Sequence, residues 1–565
     1  MKFTEFKYER PDFELTKASL EMLLFKLDHC ENGDDFMELF NKINKIRNHV
    51  KTMSTLCSVR YTIDSSDDFY SSENDYWDEI SPMYQELNTR LYKIVCTSKC
   101  RKEVEDKIPH AFFKMAECAI KSFDPKLIPD LQIENRLVSR HSKLLASAKI
   151  EFDGEIYNLP SIGVKMTDQD RDIRERSTKA KMAWFEANEA EIDDIYDQMV
   201  KIRTKMAREL GFSNYIELGY LRMSRLDYDA EMVKNYRKQV LKYIVPESMK
   251  LFEQQRNNLG LDKLAYYDLN NVFLSGNPKP KGTKDDLVKA ANKMYHEMSK
   301  ETGEFFDVMV NQELFDLESK PNKQGGGYCT DLVDYKVPFI FSNFNGTSGD
   351  VDVLTHEAGH ALQSYLSMKT ITIPECMFPT MESAEIHSMS MEFFAHPWME
   401  YFFKEDANKY YYAHVADAIK FIPYGVLVDH FQHEVYANPE CSPNDRKVMW
   451  RTLEKQYLPH KDYAGCDILE RGCWWFQQGH IFHEPFYYID YTLAQVCALQ
   501  FWRRSVEKDP SAWSDYIHIC SVGGTKTFLE IVKEAGLKSP FEDGTVEPII
   551  QFVAKYLEQF DISKF

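Results

Sequence analysis

Apolar residues recur at three- and four-residue intervals through most of the chain, a spacing that predicts a succession of amphipathic helices. Leu15, Leu20, Leu23, Leu24 and Leu27 make one stripe; Phe112, Phe113, Met115, Ala116 and Ile120 make another. Polar clusters at 64–68 and 71–75 break the pattern as caps and loops, so residues 11–145 read as a helical wall. The period then changes. Segments 149–152 and 155–159 alternate around Asp153-Gly154, a pair that accepts positive φ, and predict a β-hairpin. Pro160 closes it, which sets an N-terminal helical domain at 1–160 and a second domain at 161–565.

Residues 168–210 read as one or two long charged helices, stopped by Gly211. The Gly- and Pro-rich stretch 276–283 is a surface loop, and 325–329 and 337–342 are short strands. Pro338 cannot donate to a central ladder, so its strand is expected at an edge. Glycines at 325–327 allow a second backbone to approach, so a peptide could add as a strand beside 326–329 or 339–344. The last third is helical and rich in aromatic rings. Pro423-Tyr424-Gly425 reads as an interruption that sets a ring at a cavity wall.

Composition narrows the class. A chain of 565 residues exceeds one ordinary core, so two or more subdomains are expected. Lys and Arg total 69 against 89 Asp and Glu, and the net charge of −20 argues against a phosphate backbone as partner. The first ten residues lack the apolar core of a secretory signal, and nothing approaches the ~20 apolar residues of a membrane span. The 12 cysteines include no C-x-x-C pair, and Cys96 and Cys100 sit at helical spacing like buried thiols. A soluble, reduced, cytoplasmic protein is expected.

The chemistry concentrates at His356-Glu357-Ala358-Gly359-His360. Four residues make just over one helical turn, so the two imidazoles share a face and can bind one Zn²⁺. Glu357 can reach a water on that metal, and Ala358-Gly359 keep the turn thin enough for another element to pack close. A catalytic zinc needs a third ligand. The next helical segment, 381–394, offers Glu382, Glu385, His387 and Glu392, and spacing alone leaves all four open. Asp352, one turn before His356, and Glu392 are candidates to hold an imidazole N–H, Glu392 that of His360.

The motif, with a glutamate 25 residues after its second histidine, resembles the M3 family of zinc oligopeptidases, which includes thimet oligopeptidase and oligoendopeptidase F. The lead-in 344–354, the stretch 207–215 and the segment 479–491 are also similar, and the likeness is strongest to the bacterial oligoendopeptidase F and Pz-peptidase branch. It spans roughly residues 165–555. The resemblance implies a mainly α fold: a multi-helix bundle in two lobes around a deep substrate channel, with a small sheet near the site. It implies His356, His360 and Glu385 as ligands of one zinc per chain, Glu357 as general base, and 161–565 as the catalytic domain.

Peptide hydrolysis also needs donors for the oxyanion. In the family a histidine and tyrosines on the 479–491 segment serve, which implies Tyr491, His480 and His483 here, with Tyr487 and Tyr488 as rivals of His483. This chain is about one residue shorter than the thimet branch between histidine and last tyrosine. The expected activity is zinc-dependent endopeptidase cleavage of short oligopeptides. A zinc carboxypeptidase or dipeptidase, and a non-catalytic peptide scaffold, are the competing classes. Oligopeptides are the expected partners, without nucleic acid or membrane, and the chain is expected as a monomer or small homo-oligomer.

Overall fold

Five long helices form most of the N-terminal part of the computed structural model, which describes residues 1–565: α1 (Phe13–Asp28), α2 (Gly33–Ile63), α3 (Asp68–Thr97), α4 (His110–Lys121) and α5 (Ile128–Ala146). The 64–68 interruption supplies a cap, Asp67, whose side chain accepts the orphan N–H of Tyr70, as Asp12 and Asn32 do for Leu15 and Asp35; the 71–75 cluster is corrected from a loop to a polar stretch within α3. Leu20, Leu24 and Leu27 are buried as the stripe predicts, whereas Leu15 is exposed. The hairpin forms as expected, β1 (Ile150–Phe152) pairing antiparallel with β2 (Glu155–Tyr157) across Asp153 at φ 50° and Gly154 at φ 83°. Two charged helices follow, α6 (Arg171–Ala187) and α7 (Glu189–Glu209), with Gly211 just beyond in the left-handed region.

Three strands form the second sheet: β3 (Phe315–Glu318), β4 (Tyr328–Leu332) and β5 (Val337–Phe344), in the order β3–β5–β4. The edge assignment for Pro338 is therefore corrected, because β5 is central. The proline is tolerated because β3 pairs only from Ile340 onward; at Pro338 the sole neighbour is Asp331 of β4. Residues 339–344 are consequently flanked on both sides, and of the two stretches expected to accept a peptide strand only 326–329 lies at a sheet edge, that of β4.

Helices α8 (Gly349–Ser367) and α9 (Met381–Phe394) lie beyond the sheet, then α10 (Ala407–Ala437) and α11 (Tyr488–Val506). The core of the molecule is α9, packed along both α8 and α11, and nearly every one of its side chains is buried. No break occurs at Pro423: α10 continues through it, its packing against α11 outweighing a local penalty of about 3 kcal/mol. Phe421 and Tyr424 still line a cavity, as the reading of that stretch required. One apolar cluster runs from Phe3 to Ile562, so the N-terminal helices and the rest share a core. All 12 cysteines are free, and no helix is long and apolar enough to cross a membrane.

Candidate active site

The entry to α8 is fixed first. The Asp350 carboxylate accepts the backbone N–H groups of Asn345 (2.9 Å) and Gly346 (2.8 Å), so the loop after β5 turns directly into the helix. Further along the helix, His356 and His360 project together with ring centroids 5.1 Å apart. Gly359 between them is a contact point: a Cβ there would lie 2.6 Å from the His387 carbonyl oxygen. Helices α8 and α9 thus meet backbone to backbone, and Glu385 is carried to the histidines. Its Oε2 stands 3.2 Å from His356 Nε2 and 3.3 Å from His360 Nε2.

These three donor atoms lie within 4.8 Å of one another. Two imidazole nitrogens and one carboxylate oxygen, with Glu385 fully buried, suit a divalent cation of zinc type; a buried carboxylate requires some such partner. The imidazoles of His360 and His356 hold the Glu385 carboxyl well below the carboxylate range, against the opposing effect of burial. Its second oxygen, Oε1, accepts the hydroxyl of Tyr487. Glu357, beside the group, is buried and its Oε2 has no hydrogen-bond partner. Burial pushes its carboxyl up, with His356 and His360 pulling the other way. The β4 edge passes close by: a Cβ on Gly327 would sit 3.2 Å from Glu357 Oε1.

The remaining carboxylates have other partners. Glu392 Oε1 accepts from His356 Nδ1 (2.6 Å), and His414 Nε2 stands 2.9 Å from Oε2. The expected pairing with His360 is corrected: α8 and α9 run antiparallel, so moving two turns along α9 from Glu385 leads toward His356. Asp352 likewise holds no imidazole; it accepts from the Tyr410 hydroxyl (2.7 Å), and burial raises its pKa to about 7. Glu382 is bound to Arg225 (3.0 Å), which also binds Asp490 (2.7 Å). His387 is neutral, its pKa taken to about 4 by burial, and its carbonyl accepts from Tyr516. Of the four residues that spacing left open, only Glu385 joins the histidines.

The second segment enters through a single helical turn, Gly479–His483, and a strained residue, Phe486, at φ 69°. That backbone is locked by Gln432 Oε1, which accepts the Phe486 N–H (2.5 Å), and by Arg225, which donates to its carbonyl (2.8 Å). The chain then starts α11 with Tyr487, Tyr488 and Tyr491 near the ligand group. Tyr491 lies with its ring 6.4 Å from that of His356, and its hydroxyl is 3.2 Å from His480 Nε2. Burial lowers the His480 pKa to about 4. Gln478 Nε2 stands 2.8 Å from His480 Nδ1, and Gln478 Oε1 accepts the Tyr424 hydroxyl (2.9 Å). His483 is spent elsewhere, its Nε2 2.8 Å from Nδ1 of His141 on α5. Tyr488 packs against Phe421 and Tyr424. Gln478 and His414 went unread, because nothing in their own spacing points to this site, and Tyr424 was expected only as a cavity-wall ring.

Comparison with known proteins places the whole chain. Residues 3–123 match the peptidase M3 N-terminal domain, and residues 164–549 match peptidase family M3. An oligoendopeptidase F homolog of Borreliella burgdorferi is 24% identical over 434 residues, covering 74% of this chain and 70% of the relative. A solved structure of Pz peptidase A with an inhibitor is 50% identical, with a TM-score of 0.99 and full coverage of both chains. Oligoendopeptidase-F of Enterococcus faecium shares the fold at 14% identity, with a TM-score of 0.63, over 97% of this chain and 98% of its own. The family match alone takes in more than two thirds of the sequence, including every residue of the His356–His360–Glu385 group. The chain is a metallopeptidase and belongs to peptidase family M3, alongside oligoendopeptidase F and Pz peptidase.

Proposed function

We propose that the protein is a zinc-dependent endopeptidase that cuts internal bonds of short oligopeptides, with Glu357 as general base. The observation that carries this reading is the meeting of the His356, His360 and Glu385 donor atoms beside a buried Glu357 with an unpartnered oxygen. Zinc held there would polarise the substrate carbonyl and acidify water to a pKa of about 7. Glu357 takes a proton from the attacking water on Oε2 and passes it to the leaving nitrogen. Its burial, which favours the protonated carboxyl, suits that transfer. The substrate backbone runs along the outer edge of β4, where Gly327 has no side chain to hold it off Glu357.

Tyr491 donates to the oxyanion, and a directed set of hydrogen bonds frees its proton to do so. The Tyr424 hydroxyl donates to Gln478 Oε1, and the Gln478 amide N–H to His480 Nδ1. Neutral His480 then carries its proton on Nε2 and donates it to the Tyr491 oxygen. The Tyr491 proton is left for the substrate. His483, bonded to His141, acts by holding the turn that bears His480. Free cysteines fit a cytoplasmic role in peptide breakdown.

Zinc-loaded protein is to be incubated with peptides of equal length, blocked at both ends or at neither, and the fragments read by mass spectrometry. Internal cuts in both sets are expected. Blocked peptides left whole would replace the endopeptidase reading with an exopeptidase. Glu357→Gln should keep its zinc and lose roughly 10²–10⁴-fold in kcat, the range for a positioned general base.

A further inference from the structure

A cavity of about 650 Å³ opens against the site. Three of its lining residues touch the machinery directly: His414 bonds Glu392, Gln478 bonds His480, and Phe421 packs on Tyr491. Whatever occupies this space lies on one side of the bond being cut. Its far wall carries cations. Lys461 is the most distinctive, with a side chain only 5% exposed and an Nζ that makes no hydrogen bond. The ammonium rests on the face of Trp474, 3.2 Å from the ring centroid. Its nearest carboxylate, Glu454, is 3.5 Å away and already accepts from Arg451 (3.0 Å) and from the Tyr463 hydroxyl.

His460, next in the chain, stacks on Phe252 at 3.5 Å and presents a buried Nδ1 that also lacks a partner. Lys420 lines the same wall and donates to Gln255 Oε1 (2.8 Å). The positive charges of Lys461 and Lys420 both bear on His460, so the three converge. Lys279 adds a fourth basic group to the lining. Acidic groups on the cavity are Asp352, engaged by Tyr410, and Asp417, three residues before Lys420 on α10. Burial lowers the lysine pKa values only to about 8, so both remain charged at neutral pH.

We propose that this cavity is a carboxylate subsite, in which Lys461, supported by Lys420 and His460, receives an anionic carboxylate of the bound peptide. The carboxylate is either the free C-terminus or an Asp or Glu side chain. An ammonium buried without a hydrogen-bonding partner gains most from such a ligand, because a bond to a charged group is among the stronger ones available. The inference rests on the peptide-hydrolysis reading above and supplies its substrate preference. It also gives the fixed basic group that an exopeptidase would need, so the source of the carboxylate separates the two modes of cleavage.

The test compares kcat/KM for zinc-loaded wild type, Lys461→Met and Lys461→Arg. The substrates are one peptide as free acid, the same peptide as C-terminal amide, and the amide with Gln replaced by Glu at successive positions. Wild type should prefer at least one carboxylate form by roughly 10- to 100-fold, the scale of a charged hydrogen bond. Lys461→Met should lose the preference, with kcat/KM falling far more for the carboxylate substrates than for the neutral amide, and Lys461→Arg should retain part of it. A preference for the free acid alone identifies the C-terminus; one for a Glu position identifies a side chain. Equal rates on all wild-type substrates, or an equal loss on all of them in Lys461→Met, would overturn the subsite. Binding of the acid and amide peptides to Glu357→Gln, read by calorimetry, repeats the comparison without turnover. There a preference for the acid or a Glu peptide supports the subsite even if hydrolysis fails, and no preference rejects it.

Discussion

Glu392 is bonded to Nδ1 of His356, two turns along α9 from the proposed ligand Glu385. One helix would thus supply both a ligand and the carboxylate that orients another, and His414 pins that carboxylate from α10. Glu392→Ala should fold and keep the three ligands, yet bind zinc 10- to 100-fold more weakly, the usual effect of removing such a partner. Competition with a chelator of known affinity measures it. Unchanged affinity would reduce Glu392 to packing.

Glu385 and Glu382 separate ligand from scaffold on the same helix. Glu385→Ala should abolish stoichiometric zinc. Glu382→Ala should keep the metal and lower stability by about 1–3 kcal/mol, since it strips one buried hydrogen-bonding partner from Arg225 while Asp490 remains. Metal analysis and urea unfolding on the two proteins decide; the reverse order of zinc loss would move the ligand to Glu382.

Tyr491→Phe keeps the ring and removes only the hydroxyl, so zinc content and Tm should hold while kcat falls by roughly 10²–10³. Gln478→Glu probes the same donor from two bonds away. A carboxylate there accepts from His480 Nδ1, shifts the ring proton off Nε2, and so draws the Tyr491 hydrogen toward His480. Gln478→Glu should therefore lower kcat more than Gln478→Leu. If Gln478 serves only to pack, the leucine variant will be the worse of the two.

The buried Glu134 sets an acid limb. Burial works against its charge, but Arg222 and Arg203 prevail and bring its pKa to about 2 from an ordinary value of 4.5. A depressed pKa gives stability that is present above pH 4.5 and is lost as pH falls toward 2. The effect at neutral pH is on the order of 3 kcal/mol. Glu134→Gln should be less stable than wild type at pH 7, and the gap should shrink between pH 4.5 and 3. Chemical denaturation at several pH values checks it; a gap independent of pH would assign the loss to packing.

Much of this was legible because it is local. The 3.6-residue period placed α1, α4 and α8, and Asp153-Gly154 placed the hairpin, since each depends on a few consecutive residues. The two histidines and Glu357 were legible for the same reason. What failed was relative placement. Pro338 misled because tolerance of a proline depends on where β3 happens to begin. Glu392 and Asp352 misled because helical spacing gives the face of a side chain but not which neighbour faces it. Gln478, His414 and Lys461 come from three separate elements and meet only after α10 has run straight through Pro423.

The bond between His141 and His483 joins the N-terminal helices to the turn that carries His480. Both rings are kept neutral by burial, so the link is one shared proton between α5 and that turn, with no salt to screen it. An outward swing of α5 must either break this bond or drag the turn along. A displacement of α5 would therefore reach His480 and, through the bond from His480 to the Tyr491 hydroxyl, the proposed oxyanion donor, without touching the three proposed metal donors themselves.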